Sequence, residues 1–117
     1  MALIINLNSE IEPGKGKAKH KKPREDNFKD VPPGGCEVRL ENVDDQLQLK
    51  VDNAEKPPYC NLKLCSKNND GCTFNLDITY EDKGADKVWR IRLSSIQPFS
   101  DNADPTVNVT MGEDKSS

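Results

Sequence analysis

From Cys36 onward, apolar side chains recur at every second position, and no segment carries the 3.6-residue spacing of a helix over three turns. An extended backbone sends successive side chains to opposite faces, so this pattern describes strands with one dry and one wet face. In "CEVRL" the dry set is Cys36, Val38 and Leu40, and in "QLQLKV" it is Leu47, Leu49 and Val51. "CNLKL" contributes Cys60, Leu62 and Leu64, and "CTFNLDITY" contributes Cys72, Phe74, Leu76, Ile78 and Tyr80. "VWRIRL" turns Trp89, Ile91 and Leu93 inward with Arg90 and Arg92 outward, and "TVNVTM" turns Val107, Val109 and Met111 inward.

Turn-forming residues punctuate these runs. "SKNNDG" has hairpin chemistry, because Asn, Asp and Gly tolerate positive φ, and it predicts that "CNLKL" and "CTFNLDITY" pair with each other. "ALIINL" adds one more alternating run ahead of Cys36. The expectation is an all-β chain forming a small antiparallel β-sandwich of about six to seven strands, with a small β-barrel as the alternative that periodicity does not distinguish. Residues 1–12 hold the N-terminal strand, 36–111 the sandwich and 112–117 a disordered tail.

Residues 13–35 break the pattern. Lys15, Lys17, Lys19, Lys21, Lys22 and Arg24 crowd into this stretch with the chain's only histidine, His20, between Pro13 and Pro23. Only 33% of the chain is apolar and 32% is charged, so part of it has too little apolar surface to offset the entropy of ordering. The basic run is the natural candidate, and a flexible loop or arm is expected there. The net charge of −3 conceals this asymmetry: six of 17 basic residues lie in the run, leaving eleven against 20 acids and a balance of −9 elsewhere.

A loose cationic arm on an acidic body marks a contact surface. Three partners fit it: an acidic protein or another copy of the same chain, a nucleic acid or other polyanion bound through residues 15–24, and an import receptor, since "KHKKPR" resembles a short basic nuclear-localisation signal. A plain solvated loop is the fourth reading. Polyanion binding here would be sequence-indifferent and steeply salt-dependent, because no aromatic residue interleaves the lysines to stack on bases. The function expected is a non-catalytic binding or assembly module using Lys15, Lys17, Lys19, Lys21, Lys22 and Arg24, and the alternative is a polyanion-binding or nucleic-acid accessory protein using the same residues.

Catalysis has little to build on. His20 sits inside the basic run, away from any expected core, which removes Ser-His-Asp and Cys-His arrangements. The carboxylate pairs Asp44–Asp45 and Glu81–Asp82 fall in expected turns, where adjacent acids are solvated. Neither phosphate-binding glycine motif occurs. No enzyme activity and no cofactor are expected. "NNDG" and "DNADP" offer oxygen ligands but fall short of a twelve-residue calcium loop. "NVT" at Asn108 is a glycosylation pattern that matters only on a secretory route, and Trp89 reads as the main filler of an aromatic-poor core.

Four cysteines, Cys36, Cys60, Cys65 and Cys72, allow three disulfide connectivities. With the predicted hairpin, Cys65 faces water and Cys60 lies several residues out of register with Cys72, leaving Cys36 with Cys60 or Cys72 as the pairs to expect. The spacing lacks the paired knuckles of a zinc ribbon, so no metal is assigned. No apolar run approaches the roughly 18 residues of a membrane span, and Met1 to Leu7 lack the basic flank of an export signal. The compartment is left open, with the cytoplasm as the default.

Overall fold

In a computed structural model, residues 2–12, 14–54, 58–64, 72–83, 86–98 and 105–113 are described. They form nine strands and no helix: β1 (Leu3–Ser9), β2 (Lys17–Lys21), β3 (Lys29–Asp30), β4 (Cys36–Leu40), β5 (Gln46–Asp52), β6 (Pro58–Leu64), β7 (Cys72–Lys83), β8 (Asp86–Pro98) and β9 (Thr106–Glu113). One sheet has the order β4-β1-β9-β6 and the other β3-β2-β5-β8-β7. The two pack face to face as a β-sandwich, without closing into a barrel. No helix is long and apolar enough to cross a membrane among the described residues.

The alternation seen in the sequence builds the core directly. Leu3, Ile5 and Leu7 of β1, Val38 and Leu40 of β4, and Val107, Val109 and Met111 of β9 line one sheet's inner face. Leu47 and Leu49 of β5 and Trp89, Ile91 and Leu93 of β8 line the other, and all of these are buried in one cluster. Fully burying an aliphatic side chain of this size contributes about 1.5–3 kcal/mol, so register is strongly specified: a one-residue slip would turn a whole strand's apolar set to water. β1 runs antiparallel to β4 and parallel to β9, with Ile5 between Val38 and Val107.

Four expectations need correction. The basic stretch does not form a loose arm along its whole length. Lys17–Lys21 is strand β2, hydrogen-bonded between β3 and β5, with Ala18 opposite Val51 and His20 opposite Leu49. Here lysines occupy the wet positions and a small and a polar residue the dry ones, a strand that hydrophobicity alone does not reveal.

The expected hairpin between "CNLKL" and "CTFNLDITY" is absent as well. β6 pairs with β9 and β7 with β8, so these two runs lie in different sheets. The "SKNNDG" residues lie outside the described ones. Finally, β7 continues past Tyr80 to Lys83, which places Glu81 and Asp82 in a strand opposite Val88 and Lys87 and not in a turn. At the other end, β9 takes up Gly112 and Glu113, which were expected in a disordered tail, and residues 114–117 lie outside the described ones.

Two local devices complete the frame. The β7–β8 register shifts between Asn75 and Leu76, so that Asn75 faces Ser95 while Leu76 faces Leu93. The extra residue, Ser94, donates its hydroxyl to the Asn75 carbonyl at 3.0 Å. This bulge lets Leu93 and Ile96, three positions apart, both pack on the core. At Gly112 of β9 a Cβ would come within 2.4 Å of the Tyr59 ring, so glycine is what allows that ring to approach the strand so closely. The Tyr59 hydroxyl donates to Glu10 at 3.2 Å.

Candidate interaction surfaces

β2 carries Lys17, Lys19 and Lys21 on the outer face of the five-stranded sheet, and its neighbours answer them with carboxylates. Lys17 lies 3.3 Å from Asp30 of β3, and Lys19 lies 3.4 Å from the same group and 3.6 Å from Asp52 of β5. Lys19 and Lys50 are direct cross-strand neighbours of like charge, and Asp52 offsets their repulsion by pairing with both, at 3.3 Å to Lys50. The Lys17 ammonium, acting chiefly as a hydrogen-bond donor, holds the Asp30 carboxyl below its usual range. Lys50 also sits 4.6 Å over the Phe28 ring.

Beyond the strand, Arg24 adopts φ 68° in the turn and lies 3.1 Å from Asp45. Asp45 in turn accepts the backbone N–H groups of Glu41 and Asn42, each at 3.1 Å, closing the β4–β5 turn. The six residues expected to meet a partner are thus gathered near one sheet edge, but Lys17, Lys19 and Arg24 are engaged within the chain, as is Lys15. Among the described residues, Lys21 and Lys22 make no ion pair. Asp44 pairs with Arg92, Glu81 lies 2.9 Å from Arg90, and Asp82 lies 3.9 Å from Lys87, so the carboxylates expected to be solvated in turns serve as counter-ions, Asp44 from the β4–β5 turn and Glu81 and Asp82 across the β7–β8 pair.

His20 is the residue the sequence misplaces most. It is 5% exposed, directed into the core from β2, and its Nδ1 has no hydrogen-bond partner among the described residues. Burial lowers its pKa, the Lys22 charge adds to that, and the Glu25 charge and a hydrogen bond with the Lys29 backbone act the other way. A histidine does occupy the core, where burial favours its neutral form.

Cys36 and Cys60 are both free, which corrects the expected disulfide. They stand on β4 and β6, the two opposite edges of the four-stranded sheet. Three inter-strand steps separate them, about 14 Å, against the ~7 Å limit for a bridge. Cys72 belongs to β7 in the other sheet, and Cys65 lies outside the described residues. Burial raises the Cys36 thiol's pKa and pushes that of Cys60 up to about 11, so neither is a ready thiolate near neutral pH. No group of three or more metal-ligating side chains converges among the described residues.

Cys36 also borders a shallow recess of about 390 Å³ with Asn6, Asn8 and Asn108. Asn6 donates its side-chain amide to Asn108 at 3.1 Å across the parallel β1–β9 pair. The glycosylation pattern therefore lies in mid-strand inside the sheet, with its acceptor side chain already hydrogen-bonded. Gly35 closes one side of the recess at φ 84°, where a Cβ would collide with the Leu7 carbonyl at 2.4 Å. Trp89 is a core residue, as its alternation implies. Of the two loops weighed for calcium, "NNDG" and the first four residues of "DNADP" lie outside the described residues.

A different surface stands out on the five-stranded sheet. Among the described residues, four strands form sheet edges: β3 has only two residues, β4 five, β6 seven and β7 twelve. The inner face of β7 is only partly covered. Phe74 and Leu76 pack against the core, whereas Ile78 is 51% and Tyr80 46% exposed, although both share the face of the buried Ile91 and Trp89 opposite them. Sequence parity assigns Ile78 and Tyr80 correctly to the dry side; that the dry side runs out beyond Leu76 depends on β7 being an edge, which parity does not contain. No family model matches the chain, and no curated protein or solved structure does either.

Proposed function

We propose that the protein is a non-catalytic assembly module that engages a second polypeptide along the free edge of β7. The observation that carries this reading is a twelve-residue edge strand with two large apolar side chains uncovered on its inner face. Long edge strands present unpaired backbone donors and acceptors, and proteins ordinarily blunt them by shortening, by proline or by inward charge. β3 is blunted by its length and β6 opens on Pro58, whereas β7 between Cys72 and Tyr80 has no proline and no inward charge. An extended partner segment adding to that edge would gain backbone hydrogen bonds and cover Ile78 and Tyr80.

This reading moves the contact surface away from the basic segment. Carboxylates within the chain already answer Lys17, Lys19 and Arg24, so a polyanion would have to displace them and would gain correspondingly less from ion release. Lys21 and Lys22 carry what remains of the polyanion reading. Capture from native extract separates the two, using the wild-type chain, Ile78→Lys/Tyr80→Lys and Lys21→Gln/Lys22→Gln, each checked for fold by circular dichroism. The captured polypeptide is expected to be lost with the β7 variant and retained with the lysine variant. Loss only with the lysine variant, or salt-labile retention of the chain on heparin that depends on those lysines, would count against the β7 reading.

A further inference from the structure

The residues along β7 specify more than an open edge. In an antiparallel pair formed by two copies about a two-fold axis, each residue faces one of the same parity, so only a handful of registers centred on a single residue exist. Centred on Asp77, two carboxylates would oppose each other. Centred on Thr79, Asp77 would meet the partner's Glu81 and Leu76 the partner's Asp82, a like-charge contact and an apolar-to-carboxylate contact. Centred on Ile78, Phe74 would face the partner's Asp82. Centred on Leu76, the inner face reads Phe74 with the partner's Ile78 and Leu76 with the partner's Leu76, and the outer face reads Thr73 with the partner's Thr79 and Asn75 with the partner's Asp77.

That register places apolar against apolar on the dry side and sets no like charges opposite each other on the wet side. A register centred on Asn75 does the same, but it pairs only Cys72–Ile78 and leaves Tyr80 outside, whereas the Leu76 register pairs Cys72–Tyr80 and takes in both exposed apolar residues. We infer that β7 pairs antiparallel with β7 of a second copy of this chain about Leu76, joining two five-stranded sheets into one continuous ten-stranded sheet. The inference rests on the β7 reading proposed above and names its occupant. Ile78, half exposed in the single chain, then lies beside the partner's Phe74, and each copy covers the region where the other's core runs out. Glu81 and Asp82 fall beyond the paired segment, where Arg90 and Lys87 already accompany them.

Sedimentation equilibrium of the purified chain and a register-specific cross-link test this together. The expected result is a species of twice the 13.1 kDa chain mass, reduced to the single-chain mass by Ile78→Lys with unchanged circular dichroism. Within one chain Thr73 and Thr79 are six residues apart along the strand, about 20 Å, whereas across the inferred pair they are direct neighbours at about 4.5–5.5 Å between Cα atoms, within disulfide reach. The double variant Thr73→Cys/Thr79→Cys should therefore give a covalent dimer under mild copper–phenanthroline oxidation, well above the yield of the wild type and of either single variant. A chain that stays monomeric to its solubility limit, or a dimer that survives Ile78→Lys and does not cross-link, overturns the inference. If the chain is monomeric yet loses its captured partner with Ile78→Lys/Tyr80→Lys, self-pairing fails while the β7 docking reading stands; if that variant changes neither property, both fail.

Discussion

Tyr80 of β7 stacks on Trp89 of β8 with ring centroids 4.8 Å apart and planes inclined by 39°. The tryptophan is 9% exposed and the tyrosine 46%. This pair marks the boundary of the core, because the inner ring is sealed by the opposite sheet and the outer ring is not. Removing Tyr80 would strip the cover from Trp89 on its open side. Tyr80→Ala is expected to cost about 1–2 kcal/mol in urea unfolding, part area and part aromatic pairing, and to shift the emission of the single tryptophan to the red.

Ile78 and Ile91 are cross-strand partners of identical chemistry and opposite burial. Ile91→Ala should cost about 2–5 kcal/mol, since it removes methylenes from a site with no exposure and leaves a cavity. Ile78→Ala should cost under about 1.5 kcal/mol in the single chain. Chemical denaturation of both variants at low protein concentration measures the difference, and equal losses would show that β7 is covered.

His20 sets an acid dependence. Its folded-state pKa is lowered from 6.5, so below that value the unfolded chain takes up a proton that the folded chain resists, and stability falls as pH falls through this window. The contribution is fully present above the unfolded value. Glu25, held down by Lys29, and Asp30, held down by Lys17, have folded pKa values below their ordinary ones, so their share is lost only at lower pH, from the carboxylate range downward. Between pH 7.5 and 5 the urea midpoint of the wild type should fall, while that of His20→Leu should stay nearly flat.

Gly112 and Tyr59 should be energetically coupled. A Cβ at position 112 meets the Tyr59 ring at 2.4 Å, so Gly112→Ala is expected to destabilise by about 1–3 kcal/mol through overpacking. In the background of Tyr59→Ala the same change should cost far less, and a double-mutant cycle on the four proteins reads the coupling.

How far the fold was legible follows from what alternation can encode. Val38, Leu40, Leu47, Leu49, Ile91, Leu93, Val107, Val109 and Met111 are all buried as their parity requires, because burial of one face is the strongest force on a strand and leaves a period of two in the chain. β2 escaped notice because Ala18 and His20, its inward residues, look no more apolar than the lysines around them look polar. Their burial is imposed by Val51 and Leu49 opposite.

Strand order is written in no local pattern. "SKNNDG" is well suited to a hairpin, yet β6 and β7 separate into different sheets, each with a longer partner elsewhere. The same blindness conceals the candidate surface, since Ile78 and Tyr80 carry the same parity signal as Phe74 and Leu76, and only the width of the opposing sheet tells them apart. The cysteine expectation failed for the same reason: with β4 and β6 at opposite edges of one sheet, Cys36 and Cys60 share a face without being neighbours.

Hydrogen exchange read strand by strand at several protein concentrations tests the central claim most directly. The account predicts that amides of Lys17–Lys21 are protected even in dilute solution, and that amides between Thr73 and Thr79 on the free side of β7 gain protection as concentration rises. Rapid exchange throughout Lys17–Lys21, together with β7 protection that ignores concentration, would contradict it.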